Sequence, residues 1–244
     1  MKDFKHPKIP IIKCFDSIDS TMSLSEKNLQ KYDKHSLIIA CSQDNGRGRK
    51  GNNWVSPLGG LWFNLNLKHI SQQKGFTLFL GYCIMKAINQ LLQTQAFQIK
   101  WPNDIYLNNQ KICGLICSQF PQHYTTLIGV GINTNITNPQ SLNELNANSI
   151  LLLTNKHIEN EIYLSQIIDT ILTELPLFEH KGLSHFLLYY QEHDYLHDKN
   201  ICVTNPNSEI CGVYQGINED GALVLKQSNA ETSIHYAGSI LIKG

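Results

Sequence analysis

Arginine is almost missing from this 244-residue chain. Of its 20 basic side chains only Arg47 and Arg49 carry guanidinium, and both stand in the hexapeptide GRGRKG at 46–51. Long apolar runs are missing too: no stretch approaches the roughly 18 residues that a membrane-spanning helix requires, so no membrane partner is expected. The opening MKDFKHPKIPIIKC lacks the apolar core and small-residue cleavage site of a secretory signal, and a cytoplasmic location is expected. Formal net charge is zero, without the overall basic excess of a protein that coats nucleic acid, so any anion must be held locally. The 7 cysteines, at 14, 41, 83, 113, 117, 202 and 211, show no C-x-x-C ligand spacing, and reduced, mostly buried thiols are expected. Three catalytic signatures are also absent: the Walker A loop, the three-glycine dinucleotide fingerprint, and the G-x-S-x-G nucleophile elbow.

What is present reads as α+β. SLIIACS (36–42) and LWFNLNL (61–67) predict strands flanking a long glycine-rich loop; in the second, Phe63, Leu65 and Leu67 alternate with Asn64 and Asn66. Residues 76 to 93, beginning FTLFLGYCIMKAINQLL, are periodic enough for a helix with one apolar face. FQIKW, DIYL and KICGLICSQF predict strands, the last two joined through NNQ as a hairpin, and TTLIGVGIN (125–133) adds another. Helices are predicted over 160–175 and 183–196, with Pro176 and Gly182 punctuating the gap. Beyond them ICVT, EICGVYQGI, ALVLKQ, SIHYAG and SILIK read as short strands. The expected organisation is a larger domain over 1–196 with a mixed central sheet and helices, then a small SH3-like β-barrel over 197–244.

Arg offers a planar fork that grips a carboxylate or phosphate at two points, where Lys offers a point charge on a flexible stem. A chain that keeps its only two arginines in one glycine loop therefore points to an anion site there. Three further stretches are candidates to converge on it. KWPND (100–104) places Asn103 and Asp104 at the mouth of a strand, after Trp101 is held extended by Pro102. KICG (111–114) puts Lys111 just past the hairpin, able to point along the sheet, with Gly114 permitting close approach. GVGIN (129–133) has glycines at every second residue, as if a flat group lay against that face, and Asn133 at its exit. His193 and His197 are spaced i, i+4 but lack the H-E-x-x-H pattern, and no metal is expected on them.

Taken in order, DST (19–21), GRGRKGNNW (46–54), KWPND, KICG and GVGIN closely resemble the biotin protein ligase family, and GVYQGINEDGALVL (212–225) is similar to that family's C-terminal barrel. The resemblance implies the biotin/lipoate ligase catalytic fold, akin to class II aminoacyl-tRNA synthetases. It implies ATP-dependent activation of biotin to biotinyl-5′-AMP, then transfer to a lysine of a biotin carboxyl carrier protein domain, with Mg²⁺ assisting. By that resemblance Ser20 and Thr21 hold the ureido ring, Met22 and Gln43 line the biotin pocket, and Arg47, Gly48 and Arg49 wrap carboxylate and phosphate. Trp54 sits near the base, Lys111 reaches the biotinyl carbonyl and α-phosphate, Asn103 and Asp104 position ATP and its metal, and Asn133 closes the nucleotide side. Asp104 is also the expected acceptor of the incoming lysine's proton. With only about 14 residues before the first catalytic strand, the resemblance is to the form without an N-terminal DNA-binding domain, so no specific DNA is expected. Some members form homodimers through their central sheets.

Four positions depart from the family's usual pattern. Met22 stands where Asn is usual, Asn52 where Arg is common, Ser118 where an acid often follows the KICGLIC strand, and Ser239 where the barrel often has Glu. The rival readings are a lipoate protein ligase and a non-catalytic sensor of biotin or its adenylate.

Overall fold

The computed structural model describes residues 1–70, 73–138, 140, 142, 146–206 and 208–243. Its centre is a seven-stranded mixed sheet in the order β1-β2-β3-β7-β6-β5-β4. The strands are β1 (Ile11–Ile18), β2 (Ser36–Gln43), β3 (Leu61–Lys68), β4 (Gln98–Lys100), β5 (Asp104–Leu107), β6 (Gln110–Phe120) and β7 (Thr125–Ile132). β1 and β2 run parallel and the remaining neighbours antiparallel.

The alternation in LWFNLNL separates two buried faces rather than core from solvent. Leu61, Phe63, Leu65 and Leu67 enter the main core with helices α2 (Phe76–Leu92) and α4 (Asn160–Lys181). Trp62 and Asn64 face the other way: Trp62 packs with Ile136, Leu142 and Ala147, and Asn64 meets Met22 on the short helix α1 (Thr21–Lys27). Two-residue periodicity requires this division. Asn108 and Asn109, both at positive φ (49° and 61°), form the whole turn between β5 and β6, and Gln110 is already in the strand. Asn is the residue type that most readily takes this left-handed conformation after Gly.

Several expectations are corrected. Pro176 does not end a helix but lies inside α4, which runs 22 residues and stops at Gly182 (φ 68°); packing of Tyr163, Leu164, Ile167, Ile168, Ile171 and Phe178 into the core outweighs one lost backbone hydrogen bond. The helix expected over 183–196 is instead a 3₁₀ turn, Leu183–Phe186, followed by α5 (Leu187–Glu192), because the backbone around Asp194 leaves helical form to bond with Ile99 of β4. Cys202 and Cys211 form a disulfide, Cα atoms 4.0 Å apart. They lie nine residues apart in sequence but directly opposite in register, a pairing that ligand-spacing rules do not detect. Cys14, Cys41, Cys83, Cys113 and Cys117 are free, with Cys83 and Cys113 buried.

A second, antiparallel sheet follows: β8 (Asn200–Asn205), β9 (Ser208–Ile217), β10 (Leu223–Lys226), β11 (Thr232–His235) and β12 (Ser239–Ile242), ordered β11-β10-β9-β8-β12. It is the small barrel-like unit, and polar contacts tie it to the first sheet. Trp101 Nε1 donates to the Gly221 carbonyl (3.0 Å) and Tyr214 Oη donates to Asp194 Oδ2 (2.5 Å).

Burial pushes the Asp194 carboxyl up to about 6, against the hydrogen bonds from Tyr214 and the Leu196 N–H. Tyr190, His197 and Lys199 are its other polar neighbours. The folded state therefore keeps a proton that the unfolded chain releases between about pH 4 and 6. Asp194 thus disfavours folding progressively as pH rises through that window. We expect Asp194→Asn to gain about 1–3 kcal/mol relative to wild type on going from pH 4.5 to pH 7.5, read from urea unfolding at both values. A pH-independent difference would contradict it.

Candidate active site

After β2 the chain folds back on itself over the sheet. Arg47 pairs with Asn53 across a narrow loop, Gly48 N donates to Asn52 O (2.7 Å), and Arg49–Gly51 forms a single 3₁₀ turn with Lys50 at φ 55°. Asn52 contributes through its backbone; its exposed side chain points no charge at the loop.

The flat group against Gly131 is Trp54 of this same loop, whereas a Cβ at Gly129 would meet Asn64 and Met22 instead. Gly114 and Gly131 face each other in register on β6 and β7, and a Cβ at Gly131 would come within 2.3 Å of Trp54 Nε1, one at Gly114 within 2.7 Å of its ring. The glycines thus seat the indole, which lines the cavity described below. Gly131→Ala must displace Trp54 or the strand, and we expect a loss of about 1–3 kcal/mol in urea unfolding, as for other overpacked cores. Unchanged stability would mean that the indole moves aside freely.

Charged groups gather beside Trp54. Lys111 Nζ lies 2.7 Å from Asp104 Oδ1 and 5.0 Å from the Trp54 ring centroid. Arg49 donates through Nη1 to Asn103 Oδ1 (2.9 Å) and through Nη2 to the Gly238 carbonyl (3.3 Å). These use two of its five donors and leave the others for a ligand. Burial lowers the Arg49 guanidinium from its ordinary value, and Asp104 opposes that. Asn103 donates through Nδ2 to Leu115 O (2.8 Å), so its amide is consumed in fixing Arg49 to the β5–β6 hairpin. Arg47, more exposed than Arg49, is paired through Nη1 with Glu26 Oε2 of α1 (2.6 Å).

At the other end, Thr21 donates through both its backbone N–H (2.8 Å) and its hydroxyl (2.9 Å) to Gln43 Oε1, and Gln43 Nε2 donates to Ser56 Oγ (2.8 Å). Three bonds fix which way the amide faces. Ser20 caps α1, its Oγ accepting from Ser23 N (3.3 Å). Asn133 is buried, and its Oδ1 has no hydrogen-bond partner among the described residues.

All these elements enclose one cavity of about 310 Å³. The structure brings together on its walls Ser20, Thr21, Met22, Gln43, Arg47, Gly48, Arg49, Trp54, Asn103, Asp104, Lys111 and Asn133. It also adds two features that the sequence reading did not assign. One is Lys100, whose ammonium is lowered by burial despite Asp104 and lies 5.2 Å from the Tyr106 ring. The other is the segment Gly238–Ile240, the entry into β12, by which the second sheet closes the cavity. Lys100 was visible as the first residue of KWPND; the β12 segment, nearly 190 residues from Arg49, carried no local signal. Ser239 makes its contact as a neutral acceptor for Lys50 Nζ (3.0 Å). Ser118 lies along β6, outside the cavity wall. His193 is buried with one ring nitrogen on Tyr189 O (2.9 Å) and the other on Gln95 (3.1 Å), while His197 is exposed beside Asp198.

Residues 14–135 match the biotin/lipoate A/B protein ligase family. The chain is 27% identical over 218 residues to the bifunctional ligase/repressor BirA of Escherichia coli, covering 86% of this chain and 67% of that protein. It is 30% identical over 139 residues to biotin–protein ligase 2 of Arabidopsis thaliana, covering 53% and 42%. The chain thus spans about two thirds of the bacterial relative and under half of the plant one. In fold it is similar to a biotin protein ligase from Aquifex aeolicus in complex with biotin and ATP, with a TM-score of 0.84, 21% identity and coverage of 96% and 99%.

Proposed function

Because the chain belongs to the biotin/lipoate A/B protein ligase family, we propose that it activates biotin with ATP and transfers it to a lysine of a biotin carboxyl carrier protein domain. One observation carries the reading: a fixed amide network (Thr21, Gln43) and a cluster of one carboxylate and several cations (Arg49, Lys100, Lys111, Asp104) stand at two ends of a single cavity. That arrangement suits a polar ring at one end and a carboxylate meeting phosphate at the other.

In the first step a carboxylate oxygen of biotin attacks the α-phosphorus, the new O–P bond forms, and the bond to the β-phosphate oxygen breaks to release pyrophosphate. Two anions must approach, and Arg49 and Lys111, held in place before substrate arrives, lower that barrier without reorganisation. Trp54 offers its ring to the base and Asn133 its unpaired oxygen to an amino group. Asp104 is the one carboxylate among the described residues lining the cavity, and only its Oδ1 is engaged by Lys111. Its second oxygen fits the single-carboxylate, phosphate-shared coordination that Mg²⁺ commonly takes, and the ion would supply charge neutralisation there. In the second step the carrier's amine attacks the acyl carbon, the amide forms and AMP leaves with the bonding pair; Asp104, the carboxylate lining the cavity, would take the proton. On this reading 1–196 is the catalytic domain and 197–244 the barrel that closes it.

The test is biotin-dependent ATP/pyrophosphate exchange by the purified protein, with lipoate in parallel, followed by transfer of label to a carrier domain. Exchange with lipoate alone would overturn the substrate assignment, and exchange with neither would favour an adenylate sensor.

A further inference from the structure

The amide of Asn64 is fully buried, yet it is nearly without hydrogen bonds. Among the described residues its Oδ1 has no partner, and its Nδ2 donates only to the thioether Sδ of Met22, at 2.9 Å. A thioether is a weak acceptor, so both ends of a buried amide stand unsatisfied where polar groups are ordinarily paired. Asn66, two residues along the same face, also has a buried Oδ1 without a partner among the described residues, but its Nδ2 is on Ser36 Oγ (2.9 Å), a proper acceptor, so of the two only Asn64 lacks one at both ends.

Place makes the exception informative. Asn64 Nδ2 and Met22 Sδ would each lie 3.5 Å from a Cβ at Gly129, and Gly129 and Met22 both line the cavity, beside Thr21. The unpaired amide therefore lies one side chain behind the cavity wall, at the ring end, and Met22 is the side chain in front of it. Methionine is unbranched, with three rotatable bonds, and repacks easily.

We propose that Asn64 reads the urea of the substrate ring and that Met22 is a movable cap which the ring displaces. A side-chain amide and one edge of a cyclic urea are complementary: the ring N–H donates to Oδ1 while the ring carbonyl accepts from Nδ2. A dithiolane ring offers neither group, and seating it would leave the amide as unsatisfied as before. Asn64 would thus add discrimination between cyclic ureas and sulfur-only rings, since a site built to hydrogen-bond a group rejects strongly the analogue that lacks it. The inference rests on the biotin reading above and deepens it.

The experiment is pyrophosphate exchange with biotin, and with desthiobiotin, which keeps the urea and lacks the ring sulfur. Asn64→Leu is expected to raise KM for both acids by the same factor, about 10-fold or more, and to leave KM for ATP within about twofold. Met22→Leu, which fills the same space but cannot accept a hydrogen bond, is expected to lower KM for both acids a few-fold by removing the contact that the ring must break. An unchanged KM for biotin in Asn64→Leu, or an equal rise in the KM for ATP, would reduce Asn64 to a packing residue. An unchanged or raised KM in Met22→Leu would remove the cap. If wild type itself fails to exchange with biotin, the parent reading falls and this inference with it; if wild type exchanges and the variants do not behave as stated, only this inference falls.

Discussion

Lys111→Ala is expected to slow biotinyl-adenylate formation by about 10²- to 10³-fold while changing ATP affinity by no more than about threefold. The asymmetry follows from where the ammonium sits. It is held 2.7 Å from Asp104 and against the Trp54 ring, so it is positioned before substrate arrives. On the proposed function ATP's ground-state phosphates would also meet Arg49 and Lys100, which line the same cavity, and removing one of three cations would weaken binding modestly. Charge that shifts between carboxylate, α-phosphate and leaving pyrophosphate is met most fully by the cation nearest the reacting bond, and its loss appears in the rate. Removing Lys111 also takes from Asp104 its ion-pair partner in a half-buried site. Single-turnover measurements over a range of ATP concentrations separate the two constants. Equal losses in both, or none in the rate, would demote Lys111 to a lysine that guards a hairpin.

Why the site was legible and parts of the fold were not has a physical explanation. GRGRKG, KWPND, KICG and GVGIN stood out because each breaks the composition around it, and each lies at a strand end or in a loop where the backbone conformation needs particular residues. Helix and strand assignments failed where long-range packing overrode local preference. Pro176 stays within α4 because six buried side chains hold that helix to the core, and the 183–196 segment is cut short by backbone bonds to β4, distant in sequence. Of the two glycines of β7 only Gly131 has the flat neighbour expected, and nothing local in GVGIN says that it is Trp54 or that Gly129 faces Asn64 and Met22 instead. Asn64 and Met22 were hidden for another reason. Asn is abundant throughout the chain, so a single poorly paired amide is invisible until its neighbours are known. The wall formed by Gly238–Ile240 is a product of two sheets meeting, and no spacing within either one predicts it.

Arg49→Lys should keep the charge and still release the adenylate roughly 10-fold to 150-fold faster, a cost of about 1.5–3 kcal/mol. The guanidinium does two things at once. Nη1 and Nη2 are bound to Asn103 and to the Gly238 carbonyl, which locks its plane and joins the loop, the β5–β6 hairpin and the second sheet. Its remaining N–H groups are then aimed without further loss of freedom. A lysine at 49 can reach one of those anchors or the ligand, but its single nitrogen cannot span them. Burial sharpens the difference. It lowers the Arg49 guanidinium and the Lys100 ammonium alike, and a lysine begins about two pKa units or more below an arginine, so the same desolvation brings it closer to neutrality. Arg49→Gly, which loses the charge, the anchors and the restraint on a loop already rich in glycine, should leak more than Arg49→Lys. The measurement is the dissociation rate of preformed biotinyl-adenylate, together with biotinylation of an unrelated protein by what escapes. Retention by Arg49→Lys equal to wild type would mean that charge alone suffices at this position, and the confinement of both arginines to GRGRKG would then need another cause.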